Sequence, residues 1–139
     1  MATLRLEIVT PVRRVYSQDV NMVVATAVDG ELGVMAHHIP LVTVLVPGVM
    51  RIHEENGTEL RMAVGGGFME VSPENKVTVL AQTAELSHEI DVDRARSAYR
   101  RAKERLQDQD NPDIDVQRAE AALRRAIVRL QAVGERPDE

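Results

Sequence analysis

The sequence predicts an α+β protein, a small strand-rich body followed by an antiparallel pair of helices. From Thr3 to about Gln82 apolar residues recur with a period of two, and from Asp91 onward they recur with the period of a helix. Within the helical half, DQDNPD (residues 108–113) combines a helix stop with an aspartate-rich restart, which divides that half into two segments.

In the first half, Leu4, Leu6 and Ile8 alternate with Arg5 and Glu7, so one face of that segment is apolar and the other charged. Valine-rich runs follow at Val20–Val28, Leu41–Val46, Val49–His53, Glu59–Val64 and Lys76–Leu80, each bounded by turn residues. That spacing is typical of a small all-β sandwich or barrel. Asn56-Gly57 predicts a hairpin, because both residues tolerate the positive φ of a tight turn, and Ser72-Pro73-Glu74-Asn75 predicts a second. The run Gly65-Gly66-Gly67 is followed by FMEV, a strand, and not by Lys-Ser/Thr or a helix. It therefore reads as a bulge or a close approach of another backbone, not as a phosphate loop.

In the second half, Val92, Ala95, Tyr99, Ala102 and Leu106 fall on one helical stripe, and Val116, Ala119, Leu123, Ala126, Ile127 and Leu130 on another. Asp113 or Asp115 can cap the second helix. Two helices of about seventeen residues, each roughly 25 Å long, form an αα-hairpin with an alanine-rich seam. Alanines allow close approach but bury little area, so this contact is specific in geometry and modest in strength.

At 139 residues and 15.4 kDa the chain has room for one ordinary domain, or for a body and an appendage. It has no cysteine, which excludes disulfide scaffolds, thiolate metal sites and cysteine nucleophiles and favours an intracellular location. MATLRLEIVT predicts no removable leader, and no apolar stretch approaches the ~20 residues needed to span a bilayer. Residues 1–90 hold six Lys/Arg against eleven Asp/Glu, and residues 91–139 hold eleven of each, so the formal charge of -5 arises in the body. An acidic body, in a chain with only Tyr16, Phe68 and Tyr99 as aromatics, is unsuited to nucleic acid.

The segment DGELGVMAHHIPLV, Asp29–Val42, gathers His37, His38 and two acidic residues. In an extended chain adjacent side chains point to opposite faces, and on a helix they lie ~100° apart, so the histidines make a poor chelate. Neither GxSxG nor HExxH occurs, and a loop or contact role is the better reading of the pair.

Stepping 100° per residue, Arg94, Arg101 and Arg105 lie on one flank of the first stripe, and Arg118, Arg125 and Arg129 at the same offset on the second. Antiparallel packing puts all six on one side of the hairpin. Two readings stay open on periodicity alone. The face is self-paired, with Glu104 and Asp108 bridging Arg101 and Arg105, or it receives an anion such as a nucleotide's phosphates.

Taken together, DGELGVMAHHIPLV, VGGGFMEV with KVTVLAQTAE, and IDVDRARSAYRRA resemble the epsilon-subunit family of bacterial F-type ATP synthases over essentially the full length. The resemblance implies a β-sandwich of about ten strands over residues 1–86, docked on the gamma subunit and the c-ring, and a regulatory helical hairpin over residues 87–139. It implies a non-catalytic rotor role coupling proton translocation to ATP synthesis, peripheral on the cytoplasmic side of the inner (plasma) membrane and touching the membrane only through the complex. Asp29–Pro40 becomes a docking loop, with Glu31 and His38 facing the c-ring. Family members commonly read Pro-Gly-His-x-Pro where this chain has Ala36-His37-His38-Ile39-Pro40, so His37 replaces a glycine able to adopt positive φ. Histidine tolerates that conformation better than most side chains.

Some members bind ATP as a regulatory ligand on the hairpin. Their Ile/Leu-Asp-x-x-Arg-Ala motif stands here as Ile90, Asp91, Arg94 and Ala95, and their other contacts match Glu85, Arg101, Arg125 and Arg129. Mg²⁺ is an optional companion, since arginines can neutralise phosphates unaided. In such members the hairpin, when extended, reaches the catalytic alpha/beta head and blocks hydrolysis. The rival reading is a free-standing adaptor whose hairpin binds a partner protein. The alanine seam predicts faster amide exchange in both helices than in the strand body, and hydrogen-exchange protection equal in the two parts would refute it.

Overall fold

The computed structural model describes residues 2–108 and 110–135. Among them nine strands form the body: β1 Leu4–Val9, β2 Arg14–Ala27, β3 Gly30–Met35, β4 Leu41–Leu45, β5 Gly48–Glu54, β6 Glu59–Val64, β7 Gly67–Val71, β8 Lys76–Ala81 and β9 Ala84–Leu86. A 3₁₀ turn, Ser87–Glu89, leads to α1, Val92–Gln107, and α2, Val116–Ala132. The fold is a β-sandwich followed by a two-helix hairpin, with nine strands where about ten were expected.

Strand order is β1-β8-β7-β4-β2-β5-β6-β9, with β3 on β2 and β1 also paired to β2. Pairing is antiparallel except between β1 and β8, which run parallel. The two layers share β2. Its first half pairs with β1 and its second with β3 and β5, and the register on β5 shifts between Val20 and Met22. Across that shift the inward phase changes from even positions (Tyr16, Val20) to odd ones (Val23, Ala25, Ala27), as an extra residue in a period-two strand requires. Asn21 occupies the irregularity and its amide donates to the Glu54 carbonyl at 3.3 Å.

The core is aliphatic, with Leu6, Ile8, Val20, Val23, Ile52, Met62, Met69 and Val79 fully buried. Tyr16 enters it by giving its hydroxyl to Glu54 Oε2 at 2.7 Å. Burial, and then the Glu54 carboxylate, push the phenol pKa upward.

Both predicted hairpins form, with one correction. At the β5–β6 turn only Gly57 has positive φ (89°); Asn56 does not, and its side-chain oxygen instead accepts from Thr58 N–H at 2.9 Å. The Glu54 amide bonds the Thr58 carbonyl at 2.9 Å, so the loop holds three residues with glycine in the left-handed position. In the β7–β8 turn Asn75 takes φ 62°. The expected loop over Asp29–Pro40 is corrected too. Gly30–Met35 is strand β3, laddered on β2 from Ala27↔Gly30 to Met22↔Met35. Gly30 and Gly33 mask its strand propensity in the sequence, and β2 supplies the pairing that overrides them. The short β9 was likewise not anticipated.

Asp91 caps α1, accepting from Arg94 N–H at 3.1 Å, and Asp115 caps α2 through Arg118 N–H at 3.1 Å, which decides between Asp113 and Asp115. Gly134, φ 82°, ends α2, with Glu135 N–H reaching the Leu130 carbonyl at 2.9 Å. The seam is alanine as predicted: Ala95, Ala102, Ala119 and Ala126 are all buried. Val128 and Ala132 lie outside the predicted stripe of α2 and were missed. With Leu130 of that stripe they pack with Ile90 and Ala95 against Ala63 and Val49, which fastens the hairpin to the body.

The triple glycine is a close approach of backbones. A Cβ on Gly67, φ 145°, would lie 2.0 Å from the Leu80 carbonyl oxygen, whereas one on Gly57 would meet nothing within 4 Å. Gly67→Ala is therefore expected to lower urea stability by about 3 kcal/mol or more and Gly57→Ala by about 1 kcal/mol, and equal losses would contradict the close-approach argument.

Candidate functional site

Two regions hold the predicted site residues. In the first, β3 separates Glu31 from His38. Glu31 lies near the start of the strand, its carboxylate 3.2 Å from Arg51, while His38 follows the strand's other end. Four residues of extended chain between Glu31 and Met35 span roughly 13 Å, so the opening cluster is not one constellation. His37 does adopt the glycine-like conformation, φ 65°. What holds it was not legible in advance. The Asn75 side-chain oxygen accepts His37 N–H at 2.8 Å, and its amide donates to the Thr3 carbonyl at 2.7 Å, so one side chain ties three chain segments together. His38 N–H closes the turn onto the Met35 carbonyl at 3.2 Å, and its Nδ1 lies 2.7 Å from the Ile39 carbonyl.

The second region is the junction of hairpin and body. Arg129 Nε donates to Glu85 Oε1 at 2.6 Å, joining α2 to β9. A cavity of about 160 Å³ between α2 and the sheet is lined by Arg125, Arg129, Glu85, Thr83 and Gly65, among others. A neighbouring cavity of about 220 Å³ shares Thr83, Glu85 and Arg129 and is completed by the β1–β2 turn, including Val12 and Arg13. The ion pair thus stands between two small cavities.

The six-arginine face divides. Arg125 and Arg129 reach the sheet-side cavity, while Arg105 and Arg118 line a separate one of about 360 Å³ at the hairpin tip. Along α2, Arg118 and Arg129 lie roughly 16 Å apart. Self-pairing is corrected as well. Arg94, Arg101, Arg105, Arg118 and Arg125 are exposed, and among the described residues none of them enters an ion pair. Asp108 accepts instead from the Asn111 amide at 3.1 Å. An exposed guanidinium loses side-chain freedom when it pairs and gains little in high dielectric, so proximity in sequence is a weak guide.

Of the remaining predicted residues, Ile90 (8% exposed) and Ala95 (0%) are buried in the junction, and the Asp91 carboxylate is engaged in the helix cap. Their side chains shape the site without lining it. The structure adds Arg96, outside the predicted stripe. It donates through Nε to Glu135 at 2.9 Å, makes a second contact with the same carboxylate, and lies 3.4 Å from Asp93. Glu135, 39 positions away, raises the guanidinium's pKa through that hydrogen bond. Only the folded hairpin brings the two together.

A β-sandwich carrying a folded helical hairpin defines a two-part class of protein. The chain belongs to the ATP synthase delta/epsilon chain family: the model of its β-sandwich domain matches residues 3–87, and that of its long alpha-helix domain matches residues 88–134. It is similar to the ATP synthase epsilon chain of Pelotomaculum thermopropionicum, 58% identical over 104 residues covering 75% of this chain and 76% of that one. The epsilon chain of Brevibacillus brevis is 50% identical over 109 residues, 78% of this chain and 82% of the other. Among solved structures, a chain of the Euglena gracilis mitochondrial ATP synthase (OSCP/F1/c-ring) superposes with a TM-score of 0.77 at 25% identity, covering 89% of this chain and 77% of its own. A chain of the Tetrahymena thermophila enzyme's central stalk and c-ring, 15% identical with a TM-score of 0.58, shares the fold.

If Asp91 acts as a helix cap, Asp91→Ala lowers hairpin stability by about 1 kcal/mol and Asp91→Ser restores most of it, measured as amide exchange in the first turns of α1. Equal protection in Asp91→Ala and the parent would assign the carboxylate another role.

Proposed function

We propose that this chain is a non-catalytic central-stalk subunit of an F-type ATP synthase, coupling proton translocation to ATP synthesis and restraining ATP hydrolysis through a mobile hairpin. The sandwich docks on gamma and the c-ring, and the extended hairpin reaches the alpha/beta head. An exposed apolar face suits the gamma contact: Val42 and Val44 on β4, Phe68 on β7 and Leu80 on β8 all point outward, with Val44↔Phe68 and Phe68↔Leu80 in register. Apolar side chains of this size contribute most when a partner covers them. The His37–His38 turn, held by Asn75, suits the c-ring contact, and Glu31 stands at the other end of β3. Placement is peripheral, on the cytoplasmic side of the inner membrane, through the complex alone.

The observation that carries the regulatory reading is the set of arginines that enter no ion pair among the described residues, on a hairpin docked beside the Glu85–Arg129 pair. Guanidiniums without internal partners fit a polyphosphate. Each of the two cavities beside that pair, about 160 and 220 Å³, is smaller than the ~300–1,000 Å³ of an enclosing ligand pocket. A nucleotide therefore lies across the Glu85–Arg129 pair, partly in solvent, with Arg125 and Arg129 at hand and Arg94 and Arg101 reaching from α1. Arginines alone can neutralise the phosphates, so Mg²⁺ is not required. ATP that contacts both hairpin and body binds the docked state better than the extended one and holds the hairpin down by that difference.

Calorimetric titration of the isolated chain tests this. ATP is expected to bind and GTP to bind more weakly, with Arg94→Ala and Arg125→Ala each weakening ATP about tenfold or more. Absence of ATP heat, or undiminished binding in both variants, would remove the nucleotide switch and leave the family assignment standing.

A further inference from the structure

Between the last strand and the first helix the chain passes through a single 3₁₀ turn, Ser87–Glu89, flanked by Leu86 and Ile90 in extended conformation (φ, ψ of −66°, 145° and −77°, 128°). One side chain braces this linker from two directions. Glu89 Oε1 accepts from Leu86 N–H at 3.4 Å, which keeps the turn wound, and Glu89 Oε2 lies 3.5 Å from an Arg13 guanidinium nitrogen. Arg13 belongs to the body, and the β1–β2 turn that carries it is internally tied. Thr10 N–H donates to the Arg13 carbonyl at 2.9 Å, and Thr10 Oγ1 accepts from Val12 N–H at 3.4 Å and Arg13 N–H at 3.3 Å.

We propose that Arg13 and Glu89 form a latch, in which Arg13 on the body grips Glu89 in the linker and so biases the hairpin toward its docked position. With the pair formed, the 3₁₀ turn stays wound and Ile90 is delivered into the apolar junction with Ala63 and Ala95. With it broken, Glu89 loses its anchor on the body, and the linker can straighten, because the residues flanking the turn are already extended. The pair is exposed, with side chains 55% and 40% accessible, so it is weak on its own scale. That scale is the right one for biasing two positions of a hairpin held by an alanine-rich seam. Both are positioning residues; Arg13 also lines the cavity of about 220 Å³ beside the Glu85–Arg129 pair, so the latch is tested without nucleotide. The latch rests on the mobile-hairpin reading.

The full chain, which has no native cysteine, can be spin-labelled at Glu55→Cys on the body and Gln107→Cys on α1, both exposed positions, and the inter-label distances measured without nucleotide. Arg13→Ala and Glu89→Gln are each expected to raise the ratio of undocked to docked hairpin roughly two- to five-fold, the range an exposed ion pair supplies. Glu89→Gln retains an acceptor for Leu86 N–H, so it isolates the charge. The double variant should exceed neither single one, and ~1 M salt should erase the differences, a response that a merely structural defect does not give. If the parent shows both distances and the variants keep its ratio, the latch is refuted while the mobile hairpin stands. If every protein shows only the docked distance, the mobile hairpin fails and the latch with it.

Discussion

The packing of Val128, Leu130 and Ala132 of α2, with Ile90 and Ala95, onto Ala63 and Val49 of the sheet is the contact on which the rest of the architecture depends. Without it the hairpin is an appendage on a linker. With it, α2 lies along the sheet, Arg129 meets Glu85, the two cavities beside that pair come into being, and the Ser87–Glu89 turn is drawn toward the β1–β2 turn. The side chains involved are small, and an interface of this kind contributes less per residue than a leucine-filled core. Its modest strength is consistent with the mobile hairpin proposed above.

The body is built on the opposite principle. Its core is continuous from Leu4 and Leu6 on β1 to Val77 and Val79 on β8, and backbone approaches such as Gly67 on Leu80 leave no slack for a side chain. Asn75 extends this rigidity to the surface by tying the β7–β8 turn to Thr3 and to the His37 turn. A histidine at positive φ is tolerated there because surrounding hydrogen bonds over-determine the turn. The body is a stiff platform and the hairpin is fastened to it by smaller side chains, and the division falls at the 3₁₀ turn.

Charge follows the same division. Three cations of the body pair with carboxylates on other strands: Arg5 with Asp19, Lys76 with Glu7, Arg51 with Glu31. Lys76 hydrogen-bonded to Glu7 holds that carboxyl below its ordinary pKa. On the hairpin, Arg96 pairs with Glu135 across the helix ends and with Asp93 one turn away, and Arg129 pairs with Glu85 across the junction, while among the described residues the other five arginines of the predicted stripe enter no ion pair. Glu104 and Asp108 are close in sequence to Arg101 and Arg105 yet do not bridge them, because solvation of exposed ions competes with any local pairing.

By itself the sequence determined what depends on local periodicity and chain stereochemistry. The change of period at Asp91, the turns at Gly57 and Asn75, the alanine seam, an aspartate cap on the second helix and the backbone contact at the triple glycine were all legible, because each follows from residues within a few positions of one another. Tertiary structure decided whatever needed a distant partner. Strand β3 is read past its glycines only once β2 lies beside it, and Val128 and Ala132 are apolar toward a sheet that helical periodicity cannot see. Arg96 meets Glu135, Arg13 meets Glu89, and the six-arginine stripe splits between two cavities, because folding sets those distances and sequence spacing does not.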